Sequence, residues 1–316
     1  MKLSLVVPCY NEELNVRPFY EACLGAFDGK VGSYEIVFIN DGSRDGTWRE
    51  LLRLRHEASV PLTIINFSRN FGKEAAMLAG LENAKGDFVT VIDADLQQRP
   101  EVVLEMLEIL RNEPDTDCVC AYQEKRREGR ITSFFKKSFY KIINKVCETD
   151  FRDGASDFRT FRRTMVEAIL SMREYHRFSK GIFSWVGFNT HYIPYTVMER
   201  NAGKSSWNFA SLTKYAFEGI ISFSTLPLKL STGVGSLMAA LSLIYMIAVI
   251  IQKLCFGIAV PGYPTLVVLI LLIGGIQLIT LGIIGEYIAR IYIQGKNRPV
   301  YIVKEKIGSE EDNKLI

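Results

Sequence analysis

Apolar and polar positions divide the chain into two regimes. Through about the first 200 residues, short β-branched runs alternate with stretches of helical periodicity. Leu3–Pro8 is a first apolar run and predicts a strand. Val16, Phe19, Tyr20, Cys23, Leu24 and Phe27 then recur at helical spacing, with Asn15 as a cap and Pro18 in the first turn. The pattern repeats. Strands are predicted at Tyr34–Ile39, Leu62–Phe67 and Phe88–Ile92, with a fifth at Cys118–Tyr122. Helices are predicted around Trp48, Leu51, Leu52 and Leu54, over Lys73–Ala84, and after Arg99-Pro100-Glu101. Strands alternating with helices imply an α/β domain, a mostly parallel sheet covered on both faces.

The second regime is nearly continuous in its apolar character. Gly233–Ile251 carries no charge over about 19 residues, about 28 Å of helix. Pro264–Gly285 is a second such run, interrupted by Gln277. Core helices of a large domain would also read this way, but two uncharged runs of this length are expected to cross a membrane. Ahead of them, Phe209, Leu212, Phe217, Ile220 and Ile221 predict interfacial helices, broken at Pro227. Arg290, Lys296, Arg298, Lys304 and Lys306 follow the second run, which places the C-terminus in the cytoplasm, with the N-terminal domain on the same side. Glu286 and Arg290 stand at i, i+4 spacing for an ion pair. The expected divisions are a catalytic domain at 1–204, juxtamembrane helices at 205–230, two spans at 231–293 and a cytoplasmic tail at 294–316.

Composition changes this picture little. The net charge of +3 is too small to argue for nucleic acid. The six cysteines, Cys9, Cys23, Cys118, Cys120, Cys147 and Cys255, lack C-x-x-C spacing and read as small core residues in a reducing compartment. Three dispersed histidines give no metal cluster, and Leu3–Val7 is too short for a signal-peptide core. Basic residues do gather locally. Gln123–Arg130 is a polar, basic loop long enough to act as a lid, and Ser133–Val146 reads as a basic amphipathic helix suited to a membrane surface or an anionic substrate, or as a solvated lysine face over a core contact.

The candidate chemistry lies where strands end. Asp93 and Asp95 follow the fourth strand, with Gln97 close behind. Residues i and i+2 of a strand face one way, so both carboxylates are expected to face one ligand at the carboxyl edge of the sheet. Such oxygens suit Mg²⁺ or Mn²⁺ shared with substrate phosphates, although a bare D-x-D also caps turns. Asp41 stands in the same position after the second strand. No G-x-G-x-x-G follows a strand, and Gly203-Lys204-Ser205 lacks the earlier glycine of a phosphate loop.

VPCYNEE (7–13), NDGSRDGT (40–47), FSRNFGKEAAMLAG (67–80) and DADLQQRPE (93–101) occur in this order. Together they resemble family 2 glycosyltransferases of the GT-A fold, and most of all the bacterial polyprenyl-phosphate branch related to dolichyl-phosphate mannose synthases. The resemblance covers nearly the whole chain. It implies that Pro8, Tyr10, Asn11, Glu12, Asp41, Lys73, Asp93 and Ala94 hold the nucleotide sugar, and that Asp93, Asp95 and Gln97 meet Mg²⁺ or Mn²⁺. It makes Asp95 and Asp157 the catalytic carboxylates, Asp157 on the acceptor side. A phosphate-monoester acceptor is already a dianion near neutrality, so Asp157 is expected to orient a group more than to remove a proton. Basic residues at Arg126, Arg127, Lys136 and Arg200 are expected around the acceptor phosphate. Lys204 is expected there as well, two residues before Ser206, which occupies the usual lysine position.

The implied activity is inverting transfer of one sugar, expected to be glucose, from a UDP-sugar to undecaprenyl phosphate at the cytoplasmic face of the inner membrane. The lipid bilayer, a flippase for the product and further copies of the chain are the expected partners. A processive polysaccharide synthase is the first alternative. Against it, Arg177–Trp185 lacks Q-x-x-R-W and two spans leave no evident pore. A non-catalytic nucleotide-sugar-binding membrane protein is the second, and the intact D-x-D argues against that.

Overall fold

The computed structural model describes residues 2–123, 155–196, 198, 225–256 and 262–308. Five of the strands follow the predicted runs: β1 (Lys2–Cys9), β2 (Ser33–Asn40), β3 (Leu62–Phe67), β4 (Phe88–Val91) and β5 (Cys118–Gln123). Between them lie α1 (Val16–Phe27), α2 (Thr47–Glu57), α3 (Lys73–Asn83) and α4 (Glu101–Asn112). The second half adds β6 (Ala155–Arg162), α5 (Arg163–Ser171), α6 (Ser179–Trp185) and β7 (Thr190–Tyr195), then α7 (Leu226–Phe256), α8 (Tyr263–Gly295) and β8 (Val303–Ile307).

The eight strands form one sheet in the order β7-β5-β6-β4-β1-β2-β3-β8. The central four, β4-β1-β2-β3, are parallel, as the strand–helix alternation demands. Both flanks depart from it. β6 runs antiparallel between β4 and β5, and β8 runs antiparallel along β3. The polar cluster at 155–159 is therefore the start of a strand, and part of the supposed tail is an edge strand. Neither has the apolar run that marks a buried strand.

Each face of the sheet has its own core. Phe19, Phe27, Leu51 and Leu107 from α1, α2 and α4 cover one face, and Ala76, Met165 and Ile182 from α3, α5 and α6 cover the other. α3 lies very close to the sheet because of Gly80, where an added Cβ would stand 2.1 Å from Val6 Cγ1 and 2.9 Å from Ile39 Cδ1. Burial holds the thiols of Cys9, Cys23, Cys118 and Cys120 above their ordinary range, as expected of core residues. Cys147 lies outside the described residues, and Cys255 is exposed.

α7 and α8 are about 46 and 50 Å long, more than the ~30 Å of a bilayer core, and their apolar side chains, such as Leu241, Ile244, Leu278 and Leu281, face outward. Both are long and apolar enough to cross a membrane. Pro227, read from sequence as a break, sits in the first turn of α7, where its missing N–H leaves no bond unmade. The Glu286–Arg290 pair forms at 3.4 Å.

Two fastenings join α8 to the sheet domain. Gln294, in its last turn, accepts the Tyr175 backbone N–H through Oε1 at 2.8 Å and donates through Nε2 to the Arg173 carbonyl at 2.8 Å. Nearby, Tyr301 stacks on Phe67 with ring centroids 4.8 Å apart and donates its hydroxyl to Glu82. β8 then completes the edge of the sheet.

Candidate active site

The parallel strands β1, β2, β3 and β4 deliver their carboxyl ends to one edge, and the turns there carry the predicted residues. β4 ends at Val91, so Asp93 and Asp95 are not on a strand pleat, and their orientation comes from the turn that follows. Leu96 adopts φ 59° within it. Asp95 is buried, and its Oδ1 accepts the Gln97 backbone N–H at 3.1 Å. Asp93 remains more open. Gln98, which the sequence reading passed over for Gln97, clamps it in both directions: Asp93 N–H donates to Gln98 Oε1 at 3.0 Å, and Gln98 Nε2 donates to Asp93 Oδ2 at 3.1 Å.

β6 brings in the third carboxylate. Its ladder with β4 pairs Phe88 with Arg162 and ends at Val91 with Arg159, and Asp157, two residues beyond that pair, comes with Asp93 to the same lysine. Two carboxylates so placed repel unless a cation lies between them. Lys73, the first residue of α3, supplies it, with Nζ 2.6 Å from Asp93 Oδ1 and 3.5 Å from Asp157 Oδ2. Burial alone would lower the lysine, but Asp93 and Asp157 outweigh it and raise it well above its ordinary value. Burial alone would likewise raise Asp157, but Lys73, Lys180 and Arg159 together hold it below the usual carboxylate range. Its Oδ1 is buried and has no hydrogen-bond partner among the described residues. Lys73 keeps 40% of its side-chain surface exposed, so this charge cluster is open to a ligand.

Glu74, absent from the sequence reading, lies behind the cluster. It accepts both the backbone N–H (2.9 Å) and the hydroxyl of Ser179 at the start of α6. Burial, reinforced by the nearby Asp157, pushes its carboxyl up to about 7. Neither Glu74 nor Gln98 could be singled out from sequence, because their partners lie on other elements or depend on the turn's shape.

The expected nucleotide-binding residues line the same edge. Tyr10, just beyond Pro8 at the end of β1, is 43% exposed. Asn11 adopts φ 56°, and its Oδ1 accepts the Arg44 backbone N–H at 2.9 Å, tying the first turn to the second. Glu12 Oε2 accepts Asn15 Nδ2 at 2.5 Å, so that side chain faces Glu12 and does not cap α1. Asp41 is buried with both oxygens engaged, accepting the backbone N–H groups of Phe71 at 2.6 Å and Gly72 at 2.9 Å. The next residue must be glycine: Gly42 has φ 62°, and a Cβ there would lie 2.4 Å from the Arg69 carbonyl carbon. Asp41 thus shapes the loop that presents Lys73. Ala94 is buried between the two aspartates. Arg126, Arg127, Lys136, Arg200 and Lys204, expected around the acceptor phosphate, lie outside the described residues.

Among the described residues, no group of three or more His, Cys, Asp and Glu side chains is placed to hold a metal ion. Asp93 and Asp95 form a sparse, hard donor set. It fits a cation that takes its remaining oxygens from a substrate diphosphate and water, not one caged by protein.

Residues 4–170, more than half of the chain, match the glycosyl transferase family 2 domain. The chain belongs to glycosyltransferase family 2. It is a glycosyltransferase with the family's GT-A fold, and residues 226–291 of this family 2 enzyme match a second described unit, the GtrB C-terminal hairpin. It is 44% identical over 307 residues to the SfII prophage-derived bactoprenol glucosyl transferase of Shigella flexneri, covering 96% of this chain and 98% of that one. It is 43% identical over 306 residues to a prophage bactoprenol glucosyl transferase homolog of Escherichia coli K12, covering 96% and 99%. Among solved structures, glucosyl-3-phosphoglycerate synthase of Mycobacterium tuberculosis is 17% identical with a TM-score of 0.46, over 70% of this enzyme and 77% of that chain.

Proposed function

We propose that this enzyme transfers one sugar, glucose, from a UDP-sugar to a polyprenyl phosphate at the cytoplasmic face of the inner membrane, with inversion at the anomeric carbon. The observation that carries the reading is the Asp93–Lys73–Asp157 array at the edge of a sheet fastened to a hairpin of two helices long and apolar enough to cross a membrane. The near-full-length likeness to bactoprenol glucosyl transferases supports the sugar and the acceptor.

The chemistry follows from the charges. An oxygen of the lipid phosphate attacks the anomeric carbon, the bond from that carbon to the diphosphate breaks, and UDP departs. The acceptor is a dianion near neutral pH, so no proton need be removed. Asp157, held ionised by its cationic neighbours, is a poor base but a good acceptor, and its Oδ1, which has no hydrogen-bond partner among the described residues, suits a sugar hydroxyl. Lys73 places a positive charge where the diphosphate gathers negative charge. Asp95, with Asp93 beside it, would hold a divalent cation. When bound, that ion neutralises the leaving diphosphate.

The test is purified protein with UDP-glucose and undecaprenyl phosphate, read by the mass of the lipid product. One added hexose supports the reading. A ladder of sugar masses favours a polymerase, and no UDP release favours a non-catalytic binder. Excess EDTA or Asp95→Asn should abolish turnover, because an amide is a poor ligand for a hard cation; full activity in EDTA removes the metal from the scheme.

A further inference from the structure

A groove runs along the outer side of α3, and its narrow end reaches the Phe71–Gly72 loop that Asp41 holds. A cavity of about 770 Å³ lies between the second half of α3, the segment after α5, and the end of α8. A smaller one of about 380 Å³ continues toward the start of α3, and the two share Tyr175, Arg177 and Val300. The larger cavity mixes three arginines, Arg173, Arg177 and Arg298, with apolar Leu170, Met172 and Val300. Its one acidic side chain, Glu82, already accepts the Tyr301 hydroxyl. Among the described residues none of the three arginines forms a salt bridge, and Arg177 Nε is buried without a hydrogen-bond partner. The carboxylates of Glu74, Glu174 and Glu82 act on Arg177 from nearby, so the surplus of positive charge falls on Arg173 and Arg298. Guanidinium groups around an open space favour an anionic guest and match phosphate oxygens in geometry.

The position of the cavity narrows the choice. Its wall includes Gln294, Asn297 and Arg298, at the end of the long apolar helix α8. Among these residues, Lys296 lies over the ring of Tyr292, one turn earlier, at 4.2 Å, an aromatic–cation pairing typical of the headgroup layer. The mouth therefore opens at headgroup depth. Leu78 and Glu82 line it five and nine residues along α3 from Lys73, about 8 and 14 Å of helix rise, and on a different side of the element. A phosphate held there is not placed to attack a sugar at Asp93.

We propose that this cavity holds the headgroup of a resident anionic phospholipid, its phosphodiester among Arg173, Arg177 and Arg298. The lipid would seal the joint between α8 and the catalytic domain, just where Gln294 clasps residues 173–175. The proposal rests on the membrane placement given above but not on the identity of donor or acceptor.

The test measures lipid retention with neither substrate present. Full-length protein is reconstituted in phosphatidylglycerol or phosphatidylcholine vesicles, extracted into mild detergent, and its bound lipid quantified by mass spectrometry. Wild type should retain about one phosphatidylglycerol per chain and little phosphatidylcholine. The double variant Arg173→Gln, Arg298→Gln should lose that retention by roughly tenfold or more, since each basic group near an anionic surface contributes appreciably. Arg173→Lys, Arg298→Lys should recover part of it, which separates charge from folding. Equal retention of both lipids, or of phosphatidylglycerol by wild type and the Gln variant, overturns the site. Displacement of phosphatidylglycerol by equimolar undecaprenyl phosphate also overturns it and makes the cavity an acceptor port. Because no sugar transfer is measured, failure here is distinct from failure of the proposed reaction.

Discussion

Lys73 carries more of the site's electrostatics than any other single side chain. It reconciles two carboxylates that the end of β6 and the turn after β4 bring together, and without it they repel each other. Lys73→Met should therefore lower kcat by about 100-fold or more, measured as UDP release, while melting within a few degrees of wild type, since the side chain is partly exposed. Its neighbour Glu74 makes a different prediction. Its carboxyl is raised to about 7 in the folded chain, against about 4.3 in an unfolded one. Between those values the folded state binds more protons than the unfolded state, so stability falls as pH rises through that window. Glu74→Gln keeps an acceptor for Ser179 and removes the titration. Thermal melts of wild type should decline between pH 5 and pH 7, by on the order of 1 kcal/mol, and those of the variant should stay flat across that range. Parallel declines would assign the effect to another group.

At the scale of elements, α3 is the part whose placement matters most, because Lys73 and Glu74 ride on its first turn. Gly80 sets its height above β1 and β2. Gly80→Val should cost about 1–3 kcal/mol and reduce activity together with the melting temperature, since the helix must lift off the sheet. A loss of activity with no loss of stability would separate the two. The elements of the first half were legible from sequence because each parallel strand is buried on both faces and reads as an apolar run. β6, β7 and β8 were not. β6 opens with Ala155-Ser156-Asp157 and β8 reads Val303-Lys304-Glu305-Lys306-Ile307, polar sequences whose pairing is decided by a distant partner strand. The same limit applied at the site. The aspartates were visible as carboxylates at strand ends, but the Gln98 clamp depends on the φ 59° turn at Leu96, and the meeting of Asp157 and Asp93 at Lys73 on a strand that the polar run concealed.

For the whole molecule, β8 provides an argument about topology that charge counting alone cannot. It follows α8 yet pairs with β3 of the N-terminal domain, so the chain must return to the side from which it left. Reporters fused at the N-terminus and after residue 308 should label from one side of the membrane, and one inserted at Gly262 from the other. Labelling of all three from the same side would mean that α7 and α8 lie along the surface. The Gln294 clasp, the Phe67–Tyr301 stack and β8 leave few residues between the end of α8 and the sheet. Such a short, doubly pinned link is a hinge with its play removed. The catalytic edge therefore patrols a plane at fixed altitude, and its encounters with a lipid substrate are those of two bodies drifting in a surface. The concentration that governs its rate is molecules per unit area: diluting a proteoliposome suspension with buffer should leave the rate per enzyme unchanged, while diluting the acceptor with inert lipid should slow it.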